Sequence, residues 1–171
     1  QDALAVSVSD RNPTLHPTAS EPGELIAPAK DILDEAALCA ALDAATAGLT
    51  DAAALRAAAT QCLQTAQETG RAVIAAGIEA QPMTARRITR AYTHLTDGLV
   101  RAVLHVAQAH IAPGGGPARD QMAVMAVGGY GRGEMAPHSD VDLLFVTTRE
   151  ITPQMEKVIE FALYMLWDLH L

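Results

Sequence analysis

Residues 113–117 read Pro-Gly-Gly-Gly-Pro. No helix or strand runs through such a stretch. Proline lacks an amide hydrogen and fixes φ, and three glycines supply neither packing nor backbone stiffness. The chain must be organised separately on either side, and the two sides follow different periodicities. We place a linker over 113–120, a helical segment over 31–112 and an α/β segment over 121–171.

Ahead of the linker the spacing is helical. Asp31 caps a helix through Ile32, Leu33, Ala36, Ala37 and Ala40, which Gly48 ends. Thr50-Asp51 opens a second, striped by Leu55, Ala59, Cys62, Ala66, Val73 and Ile74. Gly70 weakens it and Pro82 stops it at the latest. Thr84 caps a third, whose face is Ile88, Tyr92, Leu95, Leu99, Val103, Val106 and His110. Short turns between three such helices predict a small antiparallel bundle. Residues 1–30 hold four of the nine prolines and no periodicity, and read as a mobile arm.

After the linker the grammar changes. Residues 121–127 (QMAVMAV) suit a buried strand, Gly128–Ser139 a glycine-rich turn, and Asp140–Thr147 a second strand. Thr152-Pro153 starts a helix towards Leu169, with Val158, Ile159, Ala162, Leu163, Leu166 and Trp167 as its apolar residues and Trp167 in the core. The expected fold class is α+β, with a short mixed sheet.

Alanine makes up 34 of 171 residues, whereas Phe, Tyr and Trp number two, three and one. Close helix packing must therefore supply much of the core density. The net charge of −8 and pI of about 5.1 describe a surface that repels a phosphate backbone, which argues against non-specific nucleic-acid binding. A nucleotide held through a metal stays compatible with it. No run of 18 apolar residues and no basic-then-apolar leader occurs, so no membrane association and a cytoplasmic location are expected. Cys39 and Cys62 read as small buried thiols in a reducing compartment.

The chemistry concentrates between Val127 and Leu144. Asp140 and Asp142, two apart on a strand, share one face, about 6.6 Å apart along it. Val141 and Leu143 face the other way. Two carboxylates on one face repel unless a cation joins them, and a hard divalent ion accepts such oxygens while leaving positions for phosphate and water. Gly128 and Gly129 follow the first strand, where the backbone must turn sharply and come close to something. Their N–H groups can line a concavity for phosphate oxygens. Arg132 can add a charged fork to those phosphates, or pair with Glu134 on the surface. Ser139 offers a hydroxyl to phosphate or to the neighbouring carboxylate.

Tyr130 can stack on a base or pack under the turn. His138 reads as a turn residue beside Pro137, and His94, His105 and His110, eleven and five apart, form no ligand pair on one helix face. Gly131-x-Gly133-x-x-Ala136 matches a relaxed dinucleotide fingerprint, but Pro137 forbids the helix that would receive the pyrophosphate. There is no P-loop and no EF-hand. A bare Asp-x-Asp also suits metal-dependent glycosyltransferases, although that reading leaves the double glycine unexplained.

Gly128-Gly129, ten residues, then Asp140-Val141-Asp142 resembles the signature of the DNA polymerase β-like nucleotidyltransferase superfamily. The run GGYGRGEMAPHSDVDLLF is closer still to the PII uridylyltransferase/uridylyl-removing enzymes of bacterial nitrogen regulation. Leu163–Leu169 (LYMLWDL) is similar to the helix that follows there, and the region around Gly70-Arg71 fits their N-terminal segment loosely. The likeness is strong over 121–169, weak over 31–112 and absent over the first 30 residues.

The resemblance implies a partial nucleotidyltransferase domain. It implies uridylyl transfer from UTP to a tyrosine hydroxyl of the PII signal protein, with Mg²⁺ or Mn²⁺ and release of pyrophosphate. Asp140 and Asp142 would be the catalytic metal ligands, Gly128 and Gly129 would hold the nucleotide phosphates, and Arg132 and Ser139 would support them. Met135 and Val141 stand where leucine and isoleucine are usual, both conservative changes. The superfamily's third carboxylate lies on a later strand, which the chain does not reach by Leu171. The uridylyl-removing HD domain is absent, since no His-Asp dipeptide occurs, and so are the ACT domains through which glutamine acts as effector. The expectation is a fragment of a bifunctional protein, inactive alone. Two alternatives are a nucleotidyltransferase with another acceptor, such as glutamine synthetase adenylyltransferase, and a non-catalytic binding fragment.

Overall fold

The computed structural model describes residues 25–111, 122–148 and 150–171. Most of the mobile arm and the linker expected at 113–120 lie outside the described residues. Residues 25–30, placed by the sequence within the arm, are ordered into the helical part: Leu25 and Ile26 are buried, and α1 is a single turn, Ala29–Ile32. The Ile26 side chain lies against Gly77, where a Cβ would meet its Cγ1 at 2.8 Å, and Arg87 donates to the Leu25 carbonyl at 2.7 Å.

The first helix is interrupted where the sequence predicts it to continue. Leu33 is extended (φ −158°, ψ 120°), and α2, Glu35–Thr46, starts after it with Asp34, not Asp31, as its cap. The Asp34 carboxylate accepts the Ala37 amide at 3.0 Å, satisfying one of the orphan donors of the first turn. The break turns Leu33 into the core, where it lies against Gly98 with no space for a Cβ between them. Burial of one leucine outweighs one more helical residue.

Helix α3, Ala52–Ala80, starts at the predicted Thr50-Asp51 pair, of which Asp51 is the cap and accepts the Ala54 amide at 2.8 Å. Its buried stripe is Leu55, Ala59, Leu63, Gln67, Gly70 and Ile74. Cys62, Ala66 and Val73, expected on that stripe, flank it half-buried. Both cysteines are free and only partly buried; burial, then Glu35 and Asp43, raises the Cys39 thiol pKa. Gly70 is a point of close approach: a Cβ there would meet Leu95 Cδ1 at 2.6 Å and the Ile32 carbonyl at 2.7 Å. A residue that weakens the isolated helix lets three helices meet.

Helix α4, Ala85–Ile111, buries Leu95, Leu99, Val103 and Val106 as expected, with Ile88 and Tyr92 at the flank. Thr84 does not cap it through its side chain; its hydroxyl donates back to the Gln81 carbonyl at 2.7 Å. One edge of α4 is stitched to α1 and α2 by polar contacts. His94 Nε2 lies 3.2 Å from the Ala29 carbonyl, Arg101 grips Glu35 at 2.8 Å, His105 meets Asp43 at 2.7 Å and His110 meets Thr46 Oγ1 at 3.0 Å. The three histidines bind neighbouring helices, not one another.

Beyond the undescribed segment, β1 (Met122–Ala126) pairs antiparallel with β2 (Leu143–Thr147), Val124 opposite Phe145. The mixed sheet expected from the sequence is, among the described residues, this antiparallel pair. Neither strand is fully buried, because helices cover one face only: Met122 and Leu143 pack on the core, while Met125, Leu144 and Val146 are exposed. Between the strands, α5 is the single turn Gly128–Gly131.

Helix α6, Pro153–Asp168, is capped by Thr152, whose hydroxyl oxygen accepts the Met155 amide at 3.2 Å, with proline first in the helix. Its inward stripe is Met155, Val158, Ala162, Met165 and Leu166. Trp167, expected in the core, is 72 % exposed. It follows Leu166 by about 100° of helical rotation, which carries it off the stripe. There it meets Tyr164 edge-on, ring centroids 6.2 Å apart. The fold is α+β, mostly helical with a small sheet, and α6 shares one apolar cluster with α2, α3 and α4.

Candidate functional site

The end of β1 and the start of β2 are joined one rung past the formal sheet. Val127 is extended (φ −128°, ψ 179°) and its amide donates to the Asp142 carbonyl at 3.0 Å. The next residue, Gly128, has φ +61°. The chain then closes into α5 through Gly131 N–H to Val127 O at 2.9 Å, and Glu134 N–H returns to Gly129 O at 3.0 Å. The amides of Gly128 and Gly129 take no part in these closing bonds.

A Cβ on Gly128 would sit 2.7 Å from Asp142 Oδ2. The carboxylate thus rests against the glycine turn, and the close approach anticipated at Gly128 is to Asp142 itself. The positive φ calls for glycine here, and the missing Cβ leaves the Asp142 carboxylate its place.

Asp140 and Asp142 are exposed, and Val141 between them is half-buried and packed on the core. The alternation expected of a strand extends through 140–142, although β2 begins only at Leu143 because the partner chain leaves the ladder at Gly128. Two carboxylates on one exposed side are a donor set that fits Mg²⁺ or Mn²⁺, which takes one or two carboxylates and completes its shell with phosphate and water. Among the described residues, no group of three or more His, Cys, Asp and Glu is placed to hold a metal.

The remaining candidates take local roles in the geometry. Arg132 pairs with Glu134, Nε to Oε2 2.8 Å, with both side chains more than 60 % exposed. Ser139 Oγ accepts the Ala136 amide at 2.7 Å and holds the turn before Asp140. His138 is an exposed turn residue. Tyr130 packs under the turn, 4 % exposed, and its hydroxyl donates to Asp97 Oδ1 of α4 at 2.7 Å. Burial, then the adjacent Asp97 charge and this hydrogen bond, pushes the phenol pKa well above its ordinary value, against a smaller opposing pull from Arg101.

A cavity of about 330 Å³ lies between this loop and the helices, with Arg71, Thr96, His138, Ser139 and Asp140 among its walls. Asp97, Arg71 and Thr96 are the neighbours that sequence reasoning missed. A polar residue on a helix flank carries no local signal of what it will face, and only the Gly70-Arg71 pair stands out in the sequence.

Residues 66–170, which include the whole turn and both carboxylates, match the family model described as "Putative nucleotidyltransferase DUF294". The chain is similar to proteins named bifunctional uridylyltransferase/uridylyl-removing enzyme. The protein of that name from Ruegeria pomeroyi is 50% identical over 82% of the chain and 16% of its own length. The one from Cereibacter sphaeroides is 49% identical over 86% of the chain and 16% of its own length. A third, from Rhodospirillum rubrum, is 38% identical over 82% and 15%. The chain thus spans about a sixth of the length of the curated relatives it matches. No solved structure matches it.

Proposed function

The chain belongs to the DUF294 nucleotidyltransferase family, and from that premise we propose that it forms part of an enzyme that transfers a uridylyl group from UTP to a tyrosine hydroxyl of a PII signal protein. The observation that carries this reading is the seating of Asp142 against the Gly128 turn, inside the segment that matches the family. The names of the relatives support uridylyl as the group transferred.

The chemistry is substitution at phosphorus. The tyrosine oxygen bonds to the α-phosphorus of UTP as the bond from that phosphorus to pyrophosphate breaks, and the phenolic proton leaves to solvent. Asp140 and Asp142 would hold a divalent ion through their carboxylates. That ion, when bound, neutralises phosphate charge and makes the attacking hydroxyl more acidic. The Gly128-Gly129 backbone, bare of side chains, admits the phosphates closely, and Ser139 keeps Asp140 at the end of a fixed turn. Arg132 serves the phosphates only by exchanging Glu134 for them, which its exposure makes inexpensive.

Label from α-labelled UTP should appear on purified PII when the intact protein is supplied with Mg²⁺ or Mn²⁺. Asp142→Asn should reduce the rate at least about 100-fold, since losing a metal ligand removes several kcal/mol of transition-state stabilisation. Absence of label on PII from the unaltered protein sinks the proposal. Label from ATP on glutamine synthetase instead would assign the alternative acceptor.

A further inference from the structure

The Gly128–Gly131 turn is tied to the helical part of the molecule by one buried contact. Tyr130 stands between Gly129 and Gly131, and its hydroxyl reaches Asp97 Oδ1 at 2.7 Å, 33 residues back on α4. Asp97 precedes Arg101 by one helical turn, and Arg101 in turn grips Glu35 at the start of α2, Nε to Oε2 2.9 Å. A path of hydrogen bonds and neighbouring charges thus runs from the candidate phosphate turn into the helices. The sheet supplies the other restraint: Gly131 lies so close to the Ala126 carbonyl that a Cβ would stand 2.6 Å from it.

We propose that Asp97 is a positioning residue for the nucleotide site: by accepting the Tyr130 hydroxyl it fixes the turn on which Asp142 rests. The nucleotide part of this inference rests on the uridylyl-transfer reading; the mechanical part does not. The geometry favours it because the turn is one helical turn long and three of its four residues are glycine, so its own backbone bonds restrain it weakly. Tyr130 is the buried side chain within it, and Asp97 is the partner that takes its hydroxyl out of an apolar setting.

The test uses the intact protein with Tyr130→Phe, Asp97→Ala and the double variant, read by amide exchange of residues 128–134 and by steady-state kinetics with UTP and Mn²⁺. Each single change should raise exchange in that segment about fivefold, and the double variant no further. KM for UTP should rise several-fold with kcat less affected, and Asp97→Glu, which keeps an acceptor, should recover part of the loss. Unchanged exchange in both single variants, or effects that multiply in the double, would overturn the proposal. If exchange responds as expected while the unaltered protein binds no UTP, the positioning contact stands and the uridylyl-transfer reading falls.

Discussion

At the scale of single residues, the site depends on glycine for two separable reasons, backbone angle and space. Gly48 and Gly128 both have positive φ, +73° and +61°. Nothing lies within 4 Å of a Cβ on Gly48, whereas one on Gly128 meets Asp142 Oδ2 at 2.7 Å. Alanine at either position should cost about 1–2 kcal/mol in backbone strain. The carboxylate is the free end of a side chain and can move aside, so Gly128→Ala should lose little more stability than Gly48→Ala. It should, however, displace Asp142 and weaken Mn²⁺ binding about tenfold, which Gly48→Ala should not. Thermal unfolding beside a Mn²⁺ titration of both variants checks this, and equal Mn²⁺ affinity would mean that Asp142 is not seated by Gly128. That Gly128 is constrained was legible from a double glycine directly after a strand. Its contact was not, because Asp142 is fourteen residues away and only strand register brings the two together.

Secondary-structure elements were most legible where the start signals fell on adjacent residues. Asp51 and Thr152 cap α3 and α6 where the Thr50-Asp51 and Thr152-Pro153 pairs set the helix starts. At 31–34 two aspartates compete, and the burial of Leu33 decides for Asp34. Thr84 has the right side chain but donates it to Gln81. Thr152→Ala should therefore destabilise the protein by about 1 kcal/mol, the ordinary value of a lost N-cap. Thr84→Ala should cost less than about half of that, because no first-turn amide loses its acceptor. Chemical denaturation of the two variants side by side distinguishes them.

At the scale of the whole molecule, α6 belongs to the same core as the helices before the undescribed segment. Val158, Ala162, Met165, Leu166 and Leu169 are buried in one cluster with Leu42, Leu63, Leu99 and Val103. Polar ties reinforce it: Gln64 and Gln67 of α3 each donate to carbonyls at the end of α6, Asp168 and Leu169, at 3.2 Å, and Arg56 pairs with Asp168 at 3.3 Å. Calorimetry should accordingly show the helical part and α6 unfolding in one cooperative transition. Two resolved transitions divided near residue 113 would mean that this shared core contributes little. The sequence by itself determined the helical periods, the exposed Asp140–Asp142 alternation and the glycines beside them, since each depends on residues within a few positions of one another. The tertiary structure alone decided which side of α6 is inside, leaving Trp167 in solvent, and which residue of α4 receives Tyr130. Those outcomes depend on what stands opposite in space, and local spacing holds no information about an element that arrives from elsewhere in the chain.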